Sequence, residues 1–271
     1  MCTVTYQPNA KGFILTHNRD EAPTRSPSDI SKAENGYCHW LYPKDTKAGG
    51  TWIVTDNTGN TACLLNGAFI KHHHSPPYRR SRGLILMDCM EAPAPVQFLL
   101  AYDYSGIEPF TLLFFTGLSV LQLRWDGQQL HRLNLPADVP HFWCSATLYP
   151  PDMQVRREQV FQKWLSSQQY IPGPHDFLQL HHTGSVGDPE NDFVMNRNER
   201  VRTVSITQVV LEKNIATMRY FDLLNDRHDV RRRHGRRWWR ESAWRRRWRA
   251  CECTPGWVGS RGTASRDRSV I

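Results

Sequence analysis

The sequence predicts an α+β sandwich with helices on its outer faces, and three observations carry that expectation. Short runs rich in β-branched and aromatic residues come in pairs separated by turn residues, so the strands group as hairpins. Segments of helical periodicity stand in blocks between those hairpins. A parallel sheet, which needs a crossover after every strand, fits this order less well.

Taken in chain order, Thr3-Val4-Thr5-Tyr6 and Phe13-Ile14-Leu15-Thr16-His17 form a first hairpin, with Pro8, Asn9 and Gly12 in the connection. Pairing Tyr6 with Phe13 puts Cys2 opposite His17 and beside Asn18 to Asp20. Residues 22 to 48 are polar and Pro-containing and read as a loop that includes Arg25. Thr51 to Thr55 and Thr61 to Leu65 flank Asp56-Asn57-Thr58-Gly59-Asn60 as a second hairpin, which ends at Asn66-Gly67. Ser81 is a candidate N-cap for a helix over 82–90, and Pro93 and Pro95 introduce a second helix through Ala101. Residues 109 to 135 read as a three-stranded meander over 110–115, 119–125 and 129–135, with Asp126-Gly127 as its clearest turn. Met153, Val160, Phe161, Trp164 and Leu165 give 152–167 an amphipathic helical face, and 177–181 reads as a further short helix. Residues 201–210 and 216–221 close the domain as a strand pair.

The chemistry of Cys2 follows from its position. A small residue at position 2 permits removal of Met1, and the new α-amine, titrating near roughly 7.7, can serve as base for its own thiol. Asp20 is placed to hold the resulting ammonium.

Cys2, Asn18-Arg19-Asp20-Glu21, Gly49-Gly50-Thr51-Trp52 and Leu64-Leu65-Asn66, in that order, resemble the NRDE family, which includes the transport and Golgi organisation proteins. The resemblance covers roughly residues 1 to 225. That family is similar to the N-terminal-nucleophile hydrolases of the choloylglycine hydrolase and penicillin V acylase type. The resemblance therefore implies a four-layer αββα sandwich and hydrolysis of linear amides through an acyl-enzyme. It implies Cys2 as nucleophile, Asp20 as the carboxylate supporting its amine and Asn66 near the oxyanion; no metal or organic cofactor is required. Asn18, Arg19 and Ser145 are expected on the substrate side. Ser145 stands where the hydrolases carry a later oxyanion Asn, and Arg197, Arg200 and Arg202 match their later Arg by position only. Arg19 and Glu21 alternate away from Asp20, which favours structural roles for both. The alternative to an amidohydrolase is a noncatalytic carrier or trafficking factor whose cleft binds a small hydrophobic ligand.

Composition bounds the rest. The 271 residues carry a formal charge of +8, but residues 227–271 hold 14 Arg against 4 acids, while residues 1–226 have 20 basic and 22 acidic groups. The basic character thus belongs to an Arg/Trp-rich tail, 226–271, which reads as disordered or as GC-rich codons translated out of frame. Nucleic-acid or anionic-membrane binding through that tail is the less favoured reading. Seven Cys without regular spacing do not form a disulfide framework, so Cys38, Cys63, Cys89 and Cys144 read as small buried residues. His72-His73-His74 has no partner at a zinc spacing and reads as a solvated loop, as does the polar stretch after His181-His182. No apolar run approaches a membrane span, and a cytoplasmic protein is expected.

Overall fold

The first hairpin forms where β-branched residues predict it, but its turn is tighter. β1 (Cys2–Asn9) and β2 (Gly12–Glu21) are joined by Ala10-Lys11 alone, with Pro8 paired to Phe13 and Asn9 to Gly12. Every pair is displaced by two positions from the expected register, so Cys2 faces Arg19 and Val4 faces His17. A two-residue displacement preserves which side chains share a face. Gly12 is required at this corner, because a Cβ there would lie 2.2 Å from the Leu211 carbonyl oxygen.

The computed structural model describes residues 2–25, 29–35, 38–116, 119–213, 215–234 and 237–240. Within 22–48, where sequence predicts a loop, β3 (Ile30–Asn35) and β4 (Cys38–Pro43) form another hairpin. The polar alternation of β3 suits an edge strand, whereas Trp40, Leu41 and Tyr42 of β4 are buried. Cys38 sits at the tip of this hairpin and is exposed, contrary to its expected burial; Cys63 and Cys89 are buried and Cys144 is half-buried.

The chain continues through β5 (Ile53–Asp56), β6 (Thr61–Asn66), α1 (Arg82–Glu91) and α2 (Pro95–Ala101), then the meander β7 (Phe110–Phe115), β8 (Val120–Trp125) and β9 (Leu130–Leu135). β10 (His141–Cys144), α3 (Pro151–Ser166) and α4 (Pro174–Thr183) follow, then β11 (Asn196–Arg197), β12 (Val201–Glu212), β13 (Ile215–Asp222), β14 (Arg227–His234) and β15 (Arg237–Arg240). Two antiparallel sheets result, in the orders β10-β1-β2-β12-β13-β14-β15, with β11 on β12, and β3-β4-β5-β6-β7-β8-β9.

Burial defines the layers. Val4, Leu15, Val209 and Met218 of the first sheet pack against Leu41, Ile53, Leu65 and Leu113 of the second. The outer face of the second sheet, through Val54, Leu64 and Leu112, meets Ile85, Cys89 and Leu99 of α1 and α2. Ile14 and Val210 on the outer face of the first sheet meet Phe161 of α3 and Phe177 of α4. The order is helices, sheet, sheet, helices.

The sheet continues past residue 225, where composition changes. β14 pairs with β13 from Arg227↔Asp222 to Arg232↔Thr217, and Val230 is buried. Ladder bonds use the backbone, which an Arg-rich strand supplies as well as any other. Contacts group Met1–Arg240 as one unit; residues 241–271, and with them most of the Arg/Trp-rich tail, lie outside the described residues. Among the described residues, no helix is long and apolar enough to cross a membrane.

Candidate active site

The strand pairing of β1 and β2 assigns each residue of the Asn18-Arg19-Asp20-Glu21 run its own partner. Cys2 and Arg19 are directly paired, so both side chains point into the space between the sheets. Arg19 is buried and ion-paired with Asp45 at 2.5 Å, donates to the Arg25 carbonyl at 2.6 Å and lies over the Trp52 ring at 3.9 Å. Arg25 also reaches Asp45 at 2.6 Å and Glu21 at 2.8 Å, closing a network over this end of the sandwich.

Asn18 and Asp20 face the opposite side, toward α3 and α4. The Asn18 amide donates to the carbonyls of His181 and Phe193 at 2.9 and 2.8 Å, and its oxygen pairs with the His181 ring at 2.7 Å. Its polar atoms are thus committed to holding α4, on the face away from the Cys2 thiol. Asp20 is buried and accepts from Thr203 Oγ1 at 2.7 Å and the Tyr149 hydroxyl at 3.1 Å. Burial raises its pKa; the Arg157 guanidinium and the Thr203 hydroxyl pull it back.

Arg157 is the residue that sequence reasoning missed. It is fully buried on α3, donates to Thr3 Oγ1 at 2.5 Å and to the Asp192 carbonyl at 2.8 Å, and lies over the Tyr149 ring at 4.0 Å. Its signal was the spacing Met153, Arg157, Phe161, which puts a cation on the buried stripe of the helix. Of the positional candidates, Arg197 lies over the same Tyr149 ring at 5.7 Å and bonds the Leu148 and Glu190 carbonyls, while Arg202 pairs with exposed Glu199 and Arg200 is exposed.

Cys2 is 3% exposed. Burial pushes its thiol up and nearby Asp20 adds to this, while the Arg19 guanidinium opposes it. Ser145 ties the nucleophile candidate to Asn66: its N–H donates to the Cys2 carbonyl at 3.0 Å and its hydroxyl donates to the Asn66 carbonyl at 2.8 Å. The same hydroxyl pairs with Thr147 Oγ1 at 2.9 Å, so it is engaged on both sides, and the half-buried Asn66 carboxamide ends β6 beside it. The Gly49 to Trp52 run positions this corner, with Thr51 Oγ1 donating to the Pro43 carbonyl at 2.7 Å.

The two histidine stretches behave differently. His72 and His74 both bond Glu108, at 3.0 and 3.1 Å, and Glu108 also pairs with Arg82 at 2.8 Å. His181 is fully buried, its pKa lowered to about 3 chiefly by desolvation, and bonds Thr5 at 2.8 Å besides Asn18. Among the described residues, no cluster has the makings of a metal site.

The chain is similar in structure to the N-acylethanolamine-hydrolyzing acid amidase ortholog of Caenorhabditis elegans, with a TM-score of 0.53 and 13% identity over 77% of this chain and 92% of that one. It is similar to a mutant conjugated bile acid hydrolase of Clostridium perfringens, with a TM-score of 0.52 and 8% identity over 85% and 92% of the two chains. A second variant of that hydrolase gives a TM-score of 0.53 and 11% identity over 84% and 92%. At these identities the likeness establishes the N-terminal-nucleophile hydrolase fold. A search of curated proteins gave no match. The family model for Transport and Golgi organisation 2 matches residues 1–178, most of the chain, and the protein belongs to that family.

Proposed function

We propose that this protein is an amidohydrolase that cleaves a linear amide through Cys2 after removal of Met1. The observation that carries the reading is the place of Cys2: it heads a strand of the central sheet, paired with Arg19 and next to the position that Asp20 occupies. The thiol attacks the amide carbonyl while its proton passes to the Cys2 α-amine. Asp20, held by Thr203 and Tyr149, orients that amine, and the Asn66 carboxamide donates to the oxyanion. Collapse breaks the C–N bond, the proton leaves with the amine, and water hydrolyses the thioester to free acid and thiol. Asn18, Arg19 and Ser145 act as positioning residues, since their polar groups are already committed to α4, Asp45 and the Asn66 carbonyl.

Burial of Cys2 and the upward shift of its thiol favour a second reading, a noncatalytic carrier of a small hydrophobic ligand. One experiment separates them. Intact mass is measured first, then turnover of N-acylethanolamines and conjugated bile acids, the amide classes named for the structural neighbours, by wild type and Cys2→Ala. Loss of Met1 with at least 100-fold lower turnover in the variant supports the enzyme; a retained Met1 or equal turnover rejects it.

A further inference from the structure

The face of the first sheet that carries Cys2 holds a set of polar side chains that the proposed reaction does not use. Pairing across β1, β2 and β12 arranges two rows, Cys2–Arg19–Ser205 and Val4–His17–Thr207, all on the inter-sheet face. His17, Ser205 and Thr207 are fully buried, and both ring nitrogens of His17 and both hydroxyl oxygens lack a hydrogen-bond partner. The Nε1 of Trp52, the ring that stacks on Arg19, is also buried and unpartnered. A buried polar atom left unmade costs its full desolvation penalty, and native chains keep few of them. Here five such atoms gather on neighbouring positions beside one thiol.

Their chemistry selects a ligand class. Burial keeps His17 neutral, so its ring offers one donor and one acceptor; the hydroxyls offer both, and Trp52 donates. The cations on or against this face are already ion-paired: Arg19 with Asp45, Arg231 with Asp229, and Arg82, whose charge reaches Cys2, with Glu108. Asp222, across from Ser205, accepts from the Leu224 and Asn225 N–H groups at its own turn and adds no donor for an incoming anion. Cys63, the other thiol close to Cys2, is held neutral by burial. A neutral group that both donates and accepts fits this set, whereas a carboxylate does not.

We propose that His17, Ser205, Thr207 and Trp52 form a subsite beside Cys2 for the uncharged amide head of its ligand. The proposal rests on Cys2 as the reacting residue but not on hydrolysis. It is tested on the full chain with iodoacetamide and iodoacetate, which transfer a carbamoylmethyl or carboxymethyl group to sulfur with loss of iodide and of the thiol proton. Peptide mapping gives the rate ratio of the two reagents at Cys2, with exposed Cys38 as internal reference. The ratio at Cys2 is expected to exceed that at Cys38 at least tenfold, and Ser205→Ala and Thr207→Val each to lower it threefold or more. Both variants are expected to melt at or above wild type, because each removes an unpartnered polar atom with little change of shape.

A ratio equal to that of Cys38, an unchanged ratio in both variants, or no modification of Cys2 overturns the subsite. Selectivity in a protein whose amide turnover does not depend on Cys2 leaves the subsite standing and the hydrolase reading rejected. Turnover that needs Cys2 without selectivity does the reverse.

Discussion

At the residue scale, the run from Asn18 to Glu21 is an alternating set of fasteners around one nucleophile candidate. Asn18 reaches α4, Asp20 reaches Thr203 of β12 and Tyr149 before α3, and Arg19 and Glu21 reach the Asp45–Arg25 network. Arg157 completes the helical side, and its removal is expected to cost most. Arg157→Met leaves the Thr3 hydroxyl and the Asn191 and Asp192 carbonyls short of a donor and Asp20 without the guanidinium that pulls its pKa down. Urea denaturation is expected to show a loss of about 3–5 kcal/mol, the usual cost of breaking a buried charged network from one side. His181 sets a pH dependence. Its folded pKa, about 3, lies below the unfolded value near 6.5, so the unfolded chain binds more protons between those values. Stability from this group is complete above about pH 6.5 and falls by about 1.4 kcal/mol per pH unit toward pH 3. His181→Gln keeps an amide for Thr5 and Asn18 and is expected to flatten the urea midpoint against pH by that slope; an unchanged slope would reject the assignment.

At the element scale, the Gly49-Gly50-Thr51-Trp52 run is a joint between β5 and α1. Thr51 N–H donates to the Gly83 carbonyl at 3.2 Å, and a Cβ on Gly50 would stand 2.4 Å from the Gly83 carbonyl carbon. Gly49 has open space but a φ of +75°, so its constraint is backbone conformation alone. Gly50→Ala is expected to lose about 1–3 kcal/mol by overpacking. Gly49→Asn, which tolerates the left-handed region, should lose less in the same melt. Both glycines were legible as a motif, but the reason for Gly50 was not, because Gly83 lies far along the chain. The same distinction explains the rest. The second hairpin, the meander and α3 were legible because their period is local; β10 was missed because His141 to Cys144 becomes a strand by pairing with β1. The β1–β2 register was read two positions off because Pro8 and Asn9 look like turn residues yet lie in the strand. Arg157 was missed because an apolar-face count passes over a cation on the stripe.

At the scale of the whole molecule, the candidate site lies where early and late segments of the chain meet. The family match ends at residue 178, within α4, yet β12 supplies Thr203 to Asp20 and places Ser205 in the Cys2 row and Thr207 in the next. The motifs therefore carry the Cys2 end, while the polar side chains on the same sheet beside it come from a strand whose partners only folding reveals. How far this sheet extends is open to a direct test. β13 buries Ala216, Met218 and Tyr220 and is covered on its far edge by β14, whose Val230 is buried and whose Asp229 accepts from the Ile30 N–H at 3.3 Å and pairs with Arg231 at 2.9 Å. These contacts tie β14 to both sheets, although it begins in the Arg-rich segment. We propose that the folded unit reaches to Arg240 rather than ending at residue 225. A chain ending after Arg240 is expected to melt within about 2 °C of the full chain, since no contact described above is removed. A chain ending after Asn225 loses Val230, worth roughly 1.5–3 kcal/mol of burial, and leaves the β13 edge unpaired. Its melting temperature is expected to fall by about 5–10 °C, at roughly 2–4 °C per kcal/mol for a domain of this size. Equal melting of the two truncations would return the boundary to residue 225, and a comparable fall in both would move it beyond Arg240.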